Sequence, residues 1–394
     1  MTARLFWYQV HKYVGLATLA FLVVAATTGI LLVFEKETDA ALNSDLFAAP
    51  AGAARFDPPA LARRLEAAHA ELRVIAVPSV THDGESVLLT VAERAAGHHA
   101  GQPLGYDQVF MSPVDGSTLG TRATRPGIDR RHLMQGIYTL HANLVAGTWG
   151  GRLMGTVGLL WLLESLVGFY LTLPGRRPFF AKWKPAWTLS WSGHWPRFLL
   201  RLHRASGLWV LVLTLVFAYS SFAIGLYYEA FEPIVTAISP PAGTPFDEQA
   251  PPGDGHAPGI GFAEALRLAG ARARQDHLAW PAAKASYVPE RSMYGVMFSR
   301  TGREEYSGIG PVTYYLDDRS GDLRFVDNPY TDSAGAKVLR ATYPIHSGEL
   351  AGTVTRWIVL ALGIVLLEMS LSGLIVWWSK RKLRLQALAV ASRS

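Results

Sequence analysis

The chain alternates long apolar runs with mixed stretches broken by turn residues. Four runs are long enough to cross a hydrocarbon core of roughly 30 Å at about 1.5 Å rise per residue: residues 13–34, 153–173, 206–228 and 355–378. Each predicts a transmembrane helix. The first follows positive charge and contains small residues, as a signal peptide does, but it is longer than the apolar core of such a peptide and reads as an uncleaved anchor.

Between the runs the pattern changes. Residues 36–140 and 230–345 each open on a Pro/Gly/Ala-rich entry and continue into a helix-like stretch, "PPALARRLEAAHAEL" or "FAEALRLAGARARQ". Short alternating segments follow, with a strand-turn-strand signal in "YDQVFMSPVDGSTLGTR" and "VTYYLDDRSGDLRFV". One helix against a small antiparallel sheet is the form each predicts. Residues 234–260 read as a flexible loop by composition.

The two halves also match each other. "HKYVGLATLAFLVVAATTGILLVFEKE" at 11–37 parallels "HRASGLWVLVLTLVFAYSSFAIGLYYEAFEP" at 203–233, and the segment 137–171 parallels 342–376. The predicted architecture is therefore an α-helical four-span bundle, a 2+2 internal repeat, with two small α+β extracytoplasmic domains. Its segments are 1–35 (first helix), 36–140 (first domain), 141–174 (outer histidine and second helix) and 175–202 (basic loop). The second copy follows as 203–229 (third helix), 230–345 (second domain), 346–379 (outer histidine and fourth helix) and 380–394 (tail).

Net charge is +6, but segments 1–12, 174–204 and 379–394 hold 14 of the 37 Lys and Arg residues and no Asp or Glu. Positive charge in short flanking loops marks the cytoplasmic side, which places both termini and the middle loop there. Basicity thus reports topology, and no nucleic-acid partner is expected. The absence of cysteine excludes disulfides, thiolate zinc sites, iron–sulfur clusters and covalent c-type haem.

Of twelve histidines, the repeat singles out four: His11 and His203 at the cytoplasmic starts of helices, and His141 and His346 just before helices on the outer side. That makes one pair per membrane face. Facing imidazoles are the usual axial set for b-type haem in a bundle, and two such non-covalent haems are expected. Zinc fits less well because it wants a third protein ligand.

Gly15 and Gly207 follow the inner histidines by four residues, on the same helix face one turn deeper, where a flat macrocycle could lie against the backbone. Lys12, Arg201 and Arg204 are candidate propionate partners at the inner face, Arg152 and Arg356 at the outer. Snorkelling cations and glycine-mediated helix packing fit the inner positions too, and the two outer arginines equally well mark helix ends. Glu164 and Glu368 fall in apolar helix interiors, so each reads as protonated or hydrogen-bonded, in either a proton- or quinone-linked role or a structural one. The other histidines, at 69, 82, 98, 99, 132, 194, 256 and 277, read as surface residues, with His132 and His194 in reserve as ligands.

On "HKYVGL", "LLVFEKETDAALN", "LHANLVAGTWGGR", "LHRASGLWVLV" and "IHSGELAGTVTRW", nearly the whole chain resembles the PepSY-associated transmembrane family, including bacterial inner-membrane ferric-siderophore reductases of the ferrioxamine-reductase kind. The resemblance implies PepSY-like domains in the periplasm, haem on His11, His141, His203 and His346, and electron transfer outward to a ferric siderophore. With no dinucleotide fingerprint after a strand and only short cytoplasmic segments, the donor would be a separate reductase or a membrane quinol. A docking or regulatory module without redox activity, or a haem protein serving another periplasmic acceptor, are the alternative readings.

Overall fold

The computed structural model describes residues 2–94, 104–191, 193–243, 246, 257–305 and 307–391; His98, His99 and His256 and most of the Pro/Gly-rich segment 244–256 lie outside them. The first half runs α1 (Ala3–Leu32), α2 (Glu35–Leu42), α3 (Ser44–Phe47), α4 (Pro58–Ala68), β1 (Leu72–Pro78), β2 (Val87–Glu93), β3 (Gln108–Met111), β4 (Thr118–Arg122), α5 (Leu133–Asn143) and α6 (Gly147–Thr172). A loop helix, α7 (Phe179–Trp187), leads to α8 (Trp195–Trp209), α9 (Leu211–Gly225), α10 (Glu232–Ile238) and α11 (Phe262–Gln275). The chain closes with β5 (Ala282–Val288), β6 (Met293–Phe298), β7 (Val312–Asp317), β8 (Leu323–Asp327), α12 (Ala334–Ser347) and α13 (Thr353–Ala391).

Among the described residues three helices, α1, α6 and α13, are long and apolar enough to cross a membrane, and a fourth crossing exists if α8 and α9 count as one broken span. The run expected as a single third helix is bent by 74° between them. The break falls at Val210, between Trp209 and Leu211, one turn past the Ser206–Gly207 pair.

α1 packs on α6 and α13, α13 on α8, and α6 on α9. Many of the residues buried in these contacts are small or polar: Thr18 and Thr28 on α1, Gly155 and Gly158 on α6, Thr214 and Ser220 on α9, beside a few aliphatics such as Val157 and Leu362. Large aliphatic side chains such as Leu31, Leu163, Val212 and Ile364 point outward. Lipid offers no hydrophobic gain for burying leucine, so helices associate where small residues let backbones approach.

The extramembrane segments form one eight-stranded antiparallel sheet, ordered β4-β3-β2-β1-β5-β6-β7-β8. Each insert supplies four strands and one covering helix, α4 or α11, as its pattern predicts. Where the sequence reading has two separate domains, the structure joins them: Ala76, Val77 and Pro78 of β1 pair with Ser286, Ala285 and Lys284 of β5. Both strands would otherwise be edges with unpaired N–H and C=O groups, and joining satisfies each against the other. One core runs beneath the seam, from Leu61, Leu65 and Leu89 to Ala269, Val296 and Leu316.

Gly155 meets Gly225 backbone to backbone; a Cβ at Gly155 would stand 2.5 Å from the Gly225 carbonyl carbon, whereas one at Gly151 meets nothing within 4 Å. Gly155→Ala is therefore expected to cost about 1–3 kcal/mol through overpacking, lowering the thermal unfolding midpoint in detergent. Gly151→Ala should leave it unchanged or slightly higher; equal effects from the two would contradict the close packing of α6 on α9.

Candidate functional site

His11 rides on α1, one helix face from α6, and His203 on α8 against α13. The outer two sit on the last turns of short helices, His141 on α5 and His346 on α12. After His141 the chain reverses through Leu144 and Val145, both left-handed (φ 54° and 58°), and after His346 through Gly348 (φ 81°). A β-branched residue at positive φ costs of order 1–3 kcal/mol, borne here by a turn that sets His141 against α1.

The rings meet in two pairs. His11 and His203 have centroids 6.3 Å apart, His141 and His346 6.0 Å. Thr28, which touches His141, lies 17 residues beyond His11 on the same helix, so the pairs are about 26 Å apart along its axis. That is close to the hydrocarbon thickness, one pair toward each face.

Three of the four imidazoles are held through Nδ1. Thr28 Oγ1 lies 2.9 Å and the Ala25 carbonyl 3.1 Å from Nδ1 of His141. His203 Nδ1 has the Met369 carbonyl at 2.9 Å and Ser372 Oγ at 3.3 Å, and His346 Nδ1 has Ser220 Oγ at 2.9 Å. His11 Nδ1 instead faces Glu164 Oε1 at 2.5 Å, off the line of a proper hydrogen bond. In all four rings Nε2 is left as the free nitrogen. Metal–imidazole bonds of roughly 2 Å on opposite sides of one ion, with half a ring beyond each, put centroids roughly 6 Å apart, so either pair fits two-sided ligation of one metal. Fixing Nδ1 while Nε2 binds is the usual way such ligands are oriented. Among the described residues no group of three or more His, Asp or Glu side chains is placed to hold a metal, so the donors act as pairs.

Both pairs open on one cavity of about 990 Å³ between α1, α6, α8, α9 and α13. Gly29, Gly168 and Gly373 line it beside the rings: a Cβ on each would stand 3.2, 3.1 and 3.3 Å from Cε1 of His141, His11 and His203. Gly15 and Gly207 also line it, but the space each frees is taken by protein, Glu164 Oε1 and the Met369 methyl, rather than left wholly for a flat ligand. Arg4, Lys12, Arg204, Lys380 and Arg384 gather at the inner end.

Three expected site residues are not brought to the cavity lining. Arg201 bonds the carbonyl and hydroxyl of Ser190. Arg152 binds Glu229 at 2.5 Å, and Arg356 grips Glu37 through two bonds of 2.6 and 2.7 Å and also the Val33 carbonyl. Each guanidinium is claimed by a nearer acceptor, so neither Arg152 nor Arg356 lines the cavity at the His141–His346 pair. His132, bonded to Asp129, and His194, a helix cap, also lie off the cavity. Thr28 and Ser220, absent from the sequence reading, carried a signal in the repeat: each is 17 residues after its half's first histidine.

A model of the family described as the PepSY-associated TM region matches residues 8–380. No curated protein matches the chain.

The Arg356 bonds hold the Glu37 carboxyl below its ordinary range. A depressed carboxylate contributes stability that is present above its unfolded pKa and lost as pH falls through the folded one. Glu37→Gln should accordingly lower the unfolding midpoint at pH 7, and the difference should shrink only as pH falls below the unfolded value of about 4.3 and through the depressed folded one. A midpoint difference that persists unchanged into acid would contradict the pairing.

Proposed function

We propose that this chain, which belongs to the PepSY-associated transmembrane family and is a multi-pass membrane protein, is a two-haem oxidoreductase of the bacterial inner membrane that reduces periplasmic ferric siderophores. The observation that carries this reading is the geometry of the two histidine pairs: ring separations suited to two-sided ligation, with Nδ1 fixed by a neighbouring helix in three of the four rings. Four spans from a 2+2 duplication, with both termini in the cytoplasm, complete the arrangement, and the clustered basic segments support that orientation.

His11 and His203 would hold the inner b-type haem, His141 and His346 the outer one. Bound there, each haem supplies a one-electron couple. The residues around it do the rest. Gly29, Gly168 and Gly373 clear the space at the rings, and Leu19, Leu22 and Leu366 keep water from the passage between them. Lys12 and Arg204 stand where inner carboxylates need cations. A separate reductase or a membrane quinol supplies electrons on the cytoplasmic side, since no nucleotide-binding segment is present in the described cytoplasmic residues.

The substrate is the ferric ion in its chelate: Fe3+ takes one electron and becomes Fe2+, with no atom transferred. The less highly charged ion binds hard oxygen donors less tightly, so reduction releases it.

The test is a reduced-minus-oxidised visible spectrum of detergent-purified protein with haem quantified as its pyridine complex. Two b haems per chain are expected, with one lost in His11→Ala or His203→Ala and the other in His141→Ala or His346→Ala. Arg204→Gln should weaken haem retention, while Arg152→Gln and Arg356→Gln should not. The dithionite-reduced protein should reoxidise on adding a ferric hydroxamate. A colourless protein from haem-replete cells would sink the proposal and leave a docking module as the better account.

A further inference from the structure

The matched halves differ at one contact beside the rings. Three of the four histidines present Nδ1 to neutral acceptors, a carbonyl or a hydroxyl. Only His11 presents it to a carboxylate, Glu164, whose side chain is 9% exposed. Glu368 occupies the matching place on α13, twelve residues after Arg356 as Glu164 is after Arg152. Yet it accepts from Ser206 Oγ at 2.9 Å, leaves its other oxygen buried without a partner, and touches none of the four rings.

We propose that Glu164 is a positioning residue that sets the direction of electron flow, by making the His11–His203 site the more reducing of the two. This rests on the haem reading above. The negative charge of a carboxylate 2.5 Å from the ring in a low-dielectric interior favours the more highly charged state of the bound ion, and an N–H donated to it once the ring is ligated would add to that by making His11 a more basic ligand. This stabilises ferric over ferrous iron at the inner site; at the outer end of the cavity the lining carboxyl is Glu35, which burial pushes toward its neutral form and which is bonded to neither ring. An electron passing from inner to outer site oxidises the first ion by one and reduces the second by one, with no bond made or broken, and runs downhill. Gly15 has a part in this: a Cβ there would stand 3.2 Å from Glu164 Oε1, so the glycine makes room for the carboxylate at the ring.

The experiment is potentiometric spectroscopy of the purified holoprotein. Glu164→Gln should favour reduction of the haem that is lost in His11→Ala at least tenfold, a 59 mV rise for a one-electron couple, and leave the other midpoint in place. Glu164→Asp should retain most of the parent value, and Glu368→Gln should move neither midpoint. Haem retained with an unmoved midpoint in Glu164→Gln overturns the proposal, as does an equal shift in Glu368→Gln, which would mark a general field effect. Should Glu164→Gln fail to assemble, Gly15→Ala must raise the same midpoint by crowding the carboxylate off the ring, and an unmoved midpoint there is equally fatal. A parent chain without haem overturns the underlying reading, whereas unmoved midpoints overturn this proposal alone.

Discussion

An imidazole inside an apolar bundle must satisfy its hydrogen-bonding nitrogens without water, and that requirement organises this molecule. Four times over, a helix places a hydroxyl, a carbonyl or a carboxylate opposite Nδ1 of a histidine carried by another helix. In hydrocarbon such groups are costly unless partnered. The small residues at the helix contacts follow from the same demand, because a hydroxyl on α1 reaches a ring on α5 only if the backbones approach closely. Polar partnering holds the rings, and glycine makes the partnering possible.

The extramembrane half obeys the opposite solvent. There the core is Leu, Val, Phe and Tyr under two covering helices, the arrangement water enforces on a sheet with one buried face. The connection between the regimes is made by ion pairs at the ends of the spans. Arg356 joins the start of α13 to the end of α1, and Asp39 on α2 receives Arg122 from β4 at 2.7 Å, both side chains mostly buried. These are places where a charge can be desolvated because its partner arrives by a geometrically defined route.

Much of this was legible beforehand. Apolar run length located the three long spans, α1, α6 and α13, and the match between halves selected four histidines out of twelve and grouped them into the two pairs that meet. The helix-plus-strands form of each insert followed from alternation and turn residues. What stayed hidden depends on distances that no spacing encodes. That β1 and β5 would meet is a property of two edges brought together by the helices. The bend at Val210 falls in Trp209–Val210–Leu211, an apolar stretch without Pro, Gly or a turn residue to mark it. Arg152 and Arg356 stood at sensible positions for cavity cations, but Glu229 and Glu37, 77 and 319 residues away, reach them first. The divergence of Glu164 from Glu368 accompanies two differences across the repeat, Val14 against Ser206 and Gly168 against Ser372, whose meaning emerges only when the helices are packed.

The seam between β1 and β5 has a mechanical consequence. Membrane carriers built from repeated halves move cargo by rocking one half against the other around a central site. Here the halves are riveted on the outer side by a continuous backbone ladder over a shared core, so rocking would shear hydrogen bonds and tear a buried interior. The molecule is a strut rather than a rocker. Relative motion of the helices therefore has to be taken up between the sheet and the bundle, not within the sheet.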